Sequence, residues 1–391
     1  MRALSRPLRV VQVGFHVDTE ERDAKSLLRA WPTLSAVAKA SAGAGVHVTV
    51  VQAAHRKEIV ERDGVTYYFV DDTSRRPARV FDRVASLAPD VVHVQGLNAP
   101  RATRPLSRAV PHVPILVQDH GSIVPTGWRA NAWRLAHSPI AGVAFTARDQ
   151  ATPWKRAKVL RGDLPVFEVL ESSSDFMPGD RDAARLATGM SGDPCLLWTG
   201  RLDANKDPLT MLAAFELVAA TLPAARLYCC FGDAPLVAEV EERVASSDML
   251  RERVTLLGRV PHEELEACYR AADFFVQMSH REGSGYSLLE AMACGTTPIV
   301  TDIPPSRAIV GTAGSLTPVG DARALADAIV GWAARGRDEL RSATRARFDA
   351  ALTFDAIGRQ LRAAYETLVN VRGTAGTPRP ATRAPMIEEL Q

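Results

Sequence analysis

The first half of the chain alternates short apolar runs with longer stretches of helical periodicity. The apolar runs are LRVVQVGF (8–15), VHVTVVQA (46–53), PDVVHVQG (89–96), VPILVQDH (113–120), IAGVAFTA (140–147) and VFEVL (166–170). Each has the length of a buried strand, and PTLSAVAKASAGAG (32–45) between the first two has the length of a helix. Buried strands that alternate with helices predict a parallel sheet covered on both faces.

The same alternation starts again after residue 194. The second set of strand-like runs is CLLWTGRL (195–202), ARLYCCFG (225–232), VTLLGRV (254–260), DFFVQMS (273–279) and TPIVTD (297–302), with helical patterns between them. The intervening segment 168–194 is rich in Ser, Gly, Asp and Pro, which predicts a hinge. We therefore expect an α/β protein in which two Rossmann-like domains face each other across a cleft.

The predicted domain limits follow from these patterns. Residues 1–178 form the first Rossmann-like domain, on the acceptor side of the cleft, and 179–353 form the second, on the donor side. Residues 354–371 form one amphipathic helix, and the Pro-, Thr- and Arg-rich tail 372–391 is expected to be disordered.

Composition narrows the classes of partner. The chain has 391 residues, 46% hydrophobic and 24% charged, and a net charge of +2, a balance that argues against a nucleic-acid partner. It contains no apolar run of the roughly 20 residues that cross a bilayer, and its N-terminus does not have the pattern of a signal peptide. The five cysteines have no C-x-x-C spacing and are expected to be buried thiols, which indicates the cytoplasm.

The segment EGSGYSLLE (282–290) carries the first sign of chemistry. It follows the strand-like run 273–279 and opens a helix, so Gly283, Ser284 and Gly285 occupy a strand-to-helix turn. Backbone N–H groups at a helix N-terminus bind anions, and phosphate is the anion we expect here. Position 288 is Leu, so the dinucleotide fingerprint G-x-G-x-x-G is not completed.

Two glutamates flank this turn. Glu282 and Glu290 are placed to accept hydrogen bonds from sugar hydroxyls at the two ends of a diphosphate. The alternative for Glu290 is a capping box with Ser287, and the alternative for Glu282 is a solvated loop acid.

A basic pair occurs in TGRLDANKD (199–207). Arg201 and Lys206 follow the first strand of the second domain, at a carboxyl end that faces the cleft. Two cations at that position would neutralise a departing diphosphate, whereas most such charges only solvate a loop.

These segments together resemble the retaining glycosyltransferases of family 4, the group 1 transferases with the GT-B fold. The resemblance extends from about residue 194 to 335 and includes the spacing Glu282-x7-Glu290, which is similar to that family's E-x7-E motif. It implies a sugar transfer, with retention, from a nucleotide diphosphate sugar to an acceptor. UDP is the default base, and the sugar, the acceptor and the oligomeric state stay open.

The resemblance also implies roles for individual residues. Arg201 and Lys206 would bind the diphosphate, Glu290 the ribose, and Glu282 the sugar hydroxyls. Backbone groups around Val260 would lie beside the nucleobase, and His120 would face the reacting sugar. The loop 283–285 would contact sugar and phosphate. His93 is instead expected to be a core histidine.

The chain departs from the family pattern after its first strand. Many members have Gly-Gly there, but this chain has Gly14 followed by Phe15 and His16. This change keeps open a non-catalytic nucleotide-sugar-binding subunit, and a nucleotide-sugar 2-epimerase is a further alternative on the same fold. No strand precedes Asp180-Arg-Asp182, which is interpreted as a solvated linker. No metal site and no cofactor are therefore expected.

A last segment, TGWRANAWRLAH (126–137), combines two tryptophans with two arginines. It predicts either a helix whose tryptophans pack on the first sheet or a helix lying at the inner face of a membrane. Packing is the favoured interpretation, because no large basic block accompanies the helix.

Overall fold

The computed structural model describes residues 6–374, with side chains as far as residue 371. The first sheet has the strand order β3-β4-β2-β1-β5-β6-β7-β8. Its strands are β1 Arg9–Gly14, β2 His47–Ala54, β3 Glu58–Arg62, β4 Val65–Asp71, β5 Val91–Gln95, β6 Ile115–Gln118, β7 Gly142–Phe145 and β8 Val166–Glu168. All neighbours pair in parallel except β3 and β4, which form an antiparallel hairpin at one edge. Sequence reasoning missed this hairpin.

The second sheet is parallel throughout and has the strand order β11-β10-β9-β12-β13-β14. Its strands are β9 Cys195–Gly200, β10 Arg226–Phe231, β11 Val254–Gly258, β12 Phe274–Gln277, β13 Thr297–Thr301 and β14 Ser315–Thr317. The side chains of the central strands β9, β12 and β13 are almost all buried, as expected for strands covered on both faces. The predicted α/β architecture with two Rossmann-like domains is confirmed.

Helices cover both sheets. They are α1 Ala24–Ala30, α2 Pro32–Gly43, α3 Ala78–Ser86, α4 Pro100–Ala109, α5 Gly127–His137, α6 Ala151–Arg156, α7 Arg181–Thr188, α8 Pro208–Thr221, α9 Val237–Ala245, α10 Asp248–Arg253, α11 His262–Ala271, α12 Tyr286–Ala293, α13 Pro304–Val310, α14 Ala322–Ala333, α15 Arg337–Ala351 and α16 Phe354–Thr374. Several begin at an Asp whose carboxylate accepts an N–H of the first turn, such as Asp207 before α8 and Asp321 before α14. None of the helices in the described part of the chain is long and apolar enough to cross a membrane.

Helix α16 returns to the first domain, where it packs on α2 and β5. A Cβ at Gly358 would lie 2.2 Å from the Ala40 carbonyl oxygen, so glycine is required for the two helices to approach this closely. Tyr365 reaches the first sheet, and its hydroxyl lies 2.8 Å from His93 Nδ1. The remainder of the tail that was predicted to be disordered, residues 375–391, lies outside the described part of the chain.

The segment predicted as a hinge is more ordered than its composition indicated. It contains α7, which packs on α11, and Asp180 caps α7 by accepting the Ala183 N–H at 2.7 Å. Asp180-Arg-Asp182 is therefore a helix start and not a linker. Arg181 and Arg185 of this helix both bond to the carboxylate of Asp273, which is buried in the second domain. The short apolar stripe of α7 was too weak a signal to predict it.

Candidate active site

The carboxyl ends of the two sheets face each other across a cleft of about 590 Å3. First-domain residues that line it include Asp119, His120, Gly121, Ile123 and Gln150. Second-domain residues that line it include Asn205, His280, Arg281, Glu282 and Gly283. The predicted residues His120, Glu282 and Gly283 thus meet in one cleft, although they come from different domains.

The glycine-rich turn at 283–285 lies against the first domain. Gly285 has φ of 73° and precedes the first residue of α12, a conformation that favours glycine. A Cβ at Gly283 would lie 2.6 Å from Glu171 Oε1 and 3.2 Å from the Gly121 nitrogen. Only glycine at position 283 therefore lets the turn approach the first domain this closely.

Polar contacts hold the turn in that place. The buried Ser284 Oγ lies 2.6 Å from Thr146 Oγ1 and accepts the Glu171 N–H at 3.2 Å. Gln150 Nε2 donates to the carbonyl oxygens of Glu282 and Gly283 at 3.3 Å. The Ser284 side chain thus links the two domains, a contact that the local sequence pattern does not indicate.

Lys206 and Glu282 form an ion pair at the edge of the cleft. The Nζ–Oε1 distance is 2.5 Å, and the side chains are only 15% and 13% exposed. Gln277 Nε2 also donates to Glu282 Oε1 at 3.1 Å. Glu282 is therefore not a solvated loop acid. Lys206 is the one lysine in residues 159–391, where every other basic residue apart from histidine is arginine.

The second predicted cation, Arg201, has a different environment. Its side chain is 61% exposed, and its Nε lies 3.1 Å from Asp233 and 3.4 Å from Asp203. Arg201 and Lys206 both follow β9 and neither is among the residues that line the cleft, but Lys206 is joined to the lining through its ion pair with Glu282. The sequence predicted equivalent roles for Arg201 and Lys206, whereas the structure shows a half-buried Lys206 and an exposed Arg201.

Glu290 does not form the capping box considered from the sequence. Helix α12 begins at Tyr286 after Gly285, so Ser287 is inside the helix and is not its N-cap. The carboxylate of Glu290 instead accepts the hydroxyl of Tyr269 at 2.9 Å, and its other oxygen lies 3.0 Å from His262 Nε2. Burial, followed by the Glu290 charge, raises the pKa of Tyr269 well above its usual value, so Tyr269 remains a donor.

His120 is held by two partners on the first-domain side. Its Nδ1 lies 2.5 Å from Glu171 Oε2, and its Nε2 lies 2.8 Å from Gln95 Oε1. The turn after His120 is fixed by Asp119, whose buried carboxylate accepts the N–H groups of Gly121 and Ser122. Glu171 and Gln95 were not predicted, because Gln95 ends β5, Glu171 follows β8, and nothing in their local sequence connects them with His120.

The remaining predicted residues, Gly14 and Val260, are not among those that line the cleft. Gly14 ends β1, with the Gln52 side chain directly against it. Val260 follows β11 and packs partly buried against the core. His93 is fully buried, and burial, followed by the charge of His120, lowers its pKa to about 3. Within residues 6–374, no three His, Cys, Asp or Glu side chains come together as metal ligands.

Comparison with known proteins connects this geometry with one family. Residues 193–334 match the sequence model described as Glycosyl transferases group 1. This stretch contains β9 to β14 together with Lys206, Glu282 and Glu290. The second domain belongs to the group 1 glycosyl transferases.

Relatives and solved structures extend the comparison to the whole fold. The chain is 28% identical over 231 residues to GDP-mannose:cellobiosyl-diphosphopolyprenol alpha-mannosyltransferase of Xanthomonas oryzae pv. oryzae (strain PXO99A), covering 58% of this chain and 59% of that protein. The matching regions span about half the length of the curated relatives.

Sucrose-phosphate synthase from Thermosynechococcus elongatus superposes with a TM-score of 0.65 at 20% identity, covering 93% of this chain and 100% of that one. Anabaena Alr3699/HepE, in complex with UDP and glucose, superposes with a TM-score of 0.59 at 15% identity, covering 94% and 99%. These likenesses confirm the predicted GT-B fold.

Proposed function

We propose that this protein is a retaining glycosyltransferase that moves a sugar from a nucleotide diphosphate sugar to an acceptor. The observation that supports the proposal is that Glu282, Gly283 and His120 line one cleft between the two domains, with Lys206 paired to Glu282 at its edge. A half-buried lysine beside a helix N-terminus supplies positive charge for a diphosphate, and a neighbouring carboxylate accepts sugar hydroxyls.

In the proposed reaction, the bond between the sugar C1 and the diphosphate oxygen breaks. The acceptor oxygen forms its bond to C1 on the same face, and its proton passes to the leaving phosphate oxygen. Lys206, Arg201 and the N–H groups at the start of α12 stabilise the charge that develops on the diphosphate. His120 lies on the opposite wall, where Glu171 orients its ring towards the reacting sugar.

The donor's nucleoside is proposed to lie on the far side of α12. Glu290 accepts ribose hydroxyls there, and the backbone around Val260 lies beside the base. UDP is the proposed default form, and the UDP bound in Alr3699/HepE supports it. The Xanthomonas relative is named for GDP-mannose, so the test must include both bases.

No metal ion is assigned a role in this reaction. Lys206 and the N-terminus of α12 would supply the positive charge that a divalent cation supplies to a diphosphate in other transferases. We therefore expect turnover to continue after exhaustive treatment with EDTA. Loss of turnover in EDTA, with recovery on adding manganese or magnesium, would contradict this part of the proposal.

The test is a panel of UDP and GDP sugars, followed by NMR for hydrolysis and for transfer to simple glycosides. We expect one donor to be consumed and its anomeric configuration to be kept in the product. An inverted product would refute retention.

A non-catalytic subunit is the second candidate, because Gly14 is followed by Phe15 and His16 where many family members have Gly-Gly, and the His16 ring packs against Trp31. That candidate predicts tight nucleotide-sugar binding without turnover of any donor.

A further inference from the structure

One face of the first domain carries exposed apolar side chains that its core does not require. This α4–α5 surface consists of α4, α5 and the connection 121–126. Ile123, Trp128 and Leu135 are 67%, 77% and 56% exposed. Trp128 and Leu135 are seven residues apart on α5 and therefore lie on the same side of the helix.

The opposite side of α5 already anchors the helix. Trp133 stacks on Trp154 of α6 with ring centroids 6.0 Å apart, and His137 Nε2 bonds to the Leu97 carbonyl oxygen at 3.1 Å. Packing of a tryptophan on the first domain, as predicted from the sequence, thus accounts for Trp133 but not for Trp128. The side of α5 that carries Trp128 and Leu135 is exposed and can contact a partner.

Positively charged side chains surround Trp128 and Leu135. Five exposed arginines lie on α4 and α5, and none has a carboxylate partner among the described residues: Arg101, Arg104, Arg108, Arg129 and Arg134. Residues 91–148 contain a single acidic residue, Asp119, which is buried. The surface therefore combines apolar side chains with uncompensated positive charge.

We propose that this surface docks on a membrane that contains anionic lipids. Tryptophan and leucine insert at the boundary between headgroups and acyl chains, while arginines bind the lipid phosphates. A second copy of this chain fits less well. A two-fold contact would place the same face against itself and oppose two sets of unpaired arginines.

The position of this surface adds a consequence beyond the proposed sugar transfer. Ile123 belongs both to the α4–α5 surface and to the lining of the cleft, and Val124 lines the cleft beside it. Docking would therefore bring the mouth of the cleft to the lipid headgroups, within reach of an acceptor carried on a lipid.

The test is vesicle flotation of the full chain. Vesicles of phosphatidylcholine alone are compared with vesicles of phosphatidylcholine mixed with phosphatidylglycerol, at low and high salt. We expect binding only to the mixed vesicles, weakened by salt. The variants W128S/L135S and R104E/R108E should each weaken binding by roughly tenfold or more.

Matched controls lie elsewhere on the surface. L186S removes an apolar side chain that is exposed on α7, and R75E/R76E reverses two exposed arginines of the first domain. Both should float as the wild type does, and all variants should keep the wild-type melting temperature. Absence of binding to mixed vesicles, or equal losses in controls and test variants, would overturn the proposal. A concentration-dependent dimer that W128S/L135S abolishes would replace the membrane with a second copy.

Discussion

The two walls of the cleft hold their polar groups in different ways. Beside the second-domain wall, two cations are paired with carboxylates of their own domain, Lys206 with Glu282 and Arg201 with Asp203 and Asp233. On the first-domain wall, Glu171 and Gln95 orient the single ring of His120. Under the proposed function, this difference means that an incoming diphosphate would compete with carboxylates on the second-domain wall, whereas His120 on the first-domain wall is held in place before the sugar binds.

Among the substitutions that test this difference between the walls, those at Lys206 should have the largest effect. Lys206→Met leaves Glu282 half-buried without its cation, so the domain should lose about 3 kcal/mol of unfolding free energy. The double variant Lys206→Met/Glu282→Gln should regain most of that stability, because the unpaired charge is gone. Neither variant should bind a nucleoside diphosphate measurably. Chemical denaturation and calorimetry measure the two effects separately.

The matched control for Lys206 is Arg323→Met, which removes an exposed cation of α14. It should change neither stability nor binding by more than about 0.5 kcal/mol. If Lys206→Met has the same melting temperature and the same nucleotide affinity as Arg323→Met, Lys206 does not bind the diphosphate.

Substitution of His120 tests the role of the first-domain wall. His120→Asn should lower kcat by roughly 100-fold and leave the affinity for the nucleoside diphosphate unchanged, because the ring contacts only first-domain residues. Glu171→Gln should have a smaller effect in the same direction, since it weakens the bond that orients the ring. Equal losses in kcat and in nucleotide affinity would show that the two walls do not act separately.

The burial of His93 gives the first domain a pH-dependent stability. His93 has a pKa of about 3 in the folded protein, against about 6.5 in an unfolded chain, so the unfolded state binds more protons between these values. Stability should therefore fall as the pH falls below about 6.5, by about 2 kcal/mol between pH 7 and pH 5 from this residue.

His93→Gln should remove that part of the pH dependence, and thermal unfolding at several pH values measures it. The exposed His47 provides the control, because His47→Gln should leave the slope unchanged. An identical slope in His93→Gln and wild type would contradict the burial of a neutral ring.

The smallest effect is expected at Glu290. Glu290→Gln keeps an oxygen for the Tyr269 hydroxyl but loses the charge, so nucleotide binding should weaken by about 1 kcal/mol with little change in melting temperature. A 2′,3′-dideoxy nucleotide should bind wild type more weakly, and the variant should lose much of that discrimination. Full discrimination in the variant would mean that Glu290 serves only Tyr269 and His262.

The sequence predicted the second domain better than the first. Turn 282–290 and the loop of Arg201 and Lys206 are local patterns whose function can be inferred from a few neighbouring residues. The partners of His120 and the contact between Ser284 and Thr146 join residues that are far apart in the chain, and nothing local indicates them.

Local sequence patterns were also poor predictors where the structure depends on burial or on backbone conformation. Ser287 and Glu290 have the spacing of a capping box, but the positive φ at Gly285 starts the helix two residues earlier. Arg201 and Lys206 looked equivalent because their spacing contains no information on exposure. The hairpin β3–β4 was missed because β3 is polar and exposed, and β4 alternates buried with partly buried residues and has no continuous buried run.

The most direct test of the account is a calorimetric titration of the wild-type chain with UDP and GDP in EDTA, repeated on Lys206→Met/Glu282→Gln. The account predicts that one nucleoside diphosphate binds the wild type at one site without metal, and that the folded double variant does not bind it. Binding of equal strength to both proteins, or no binding to the wild type, would contradict the claim that this pair and the adjoining turn form a diphosphate site.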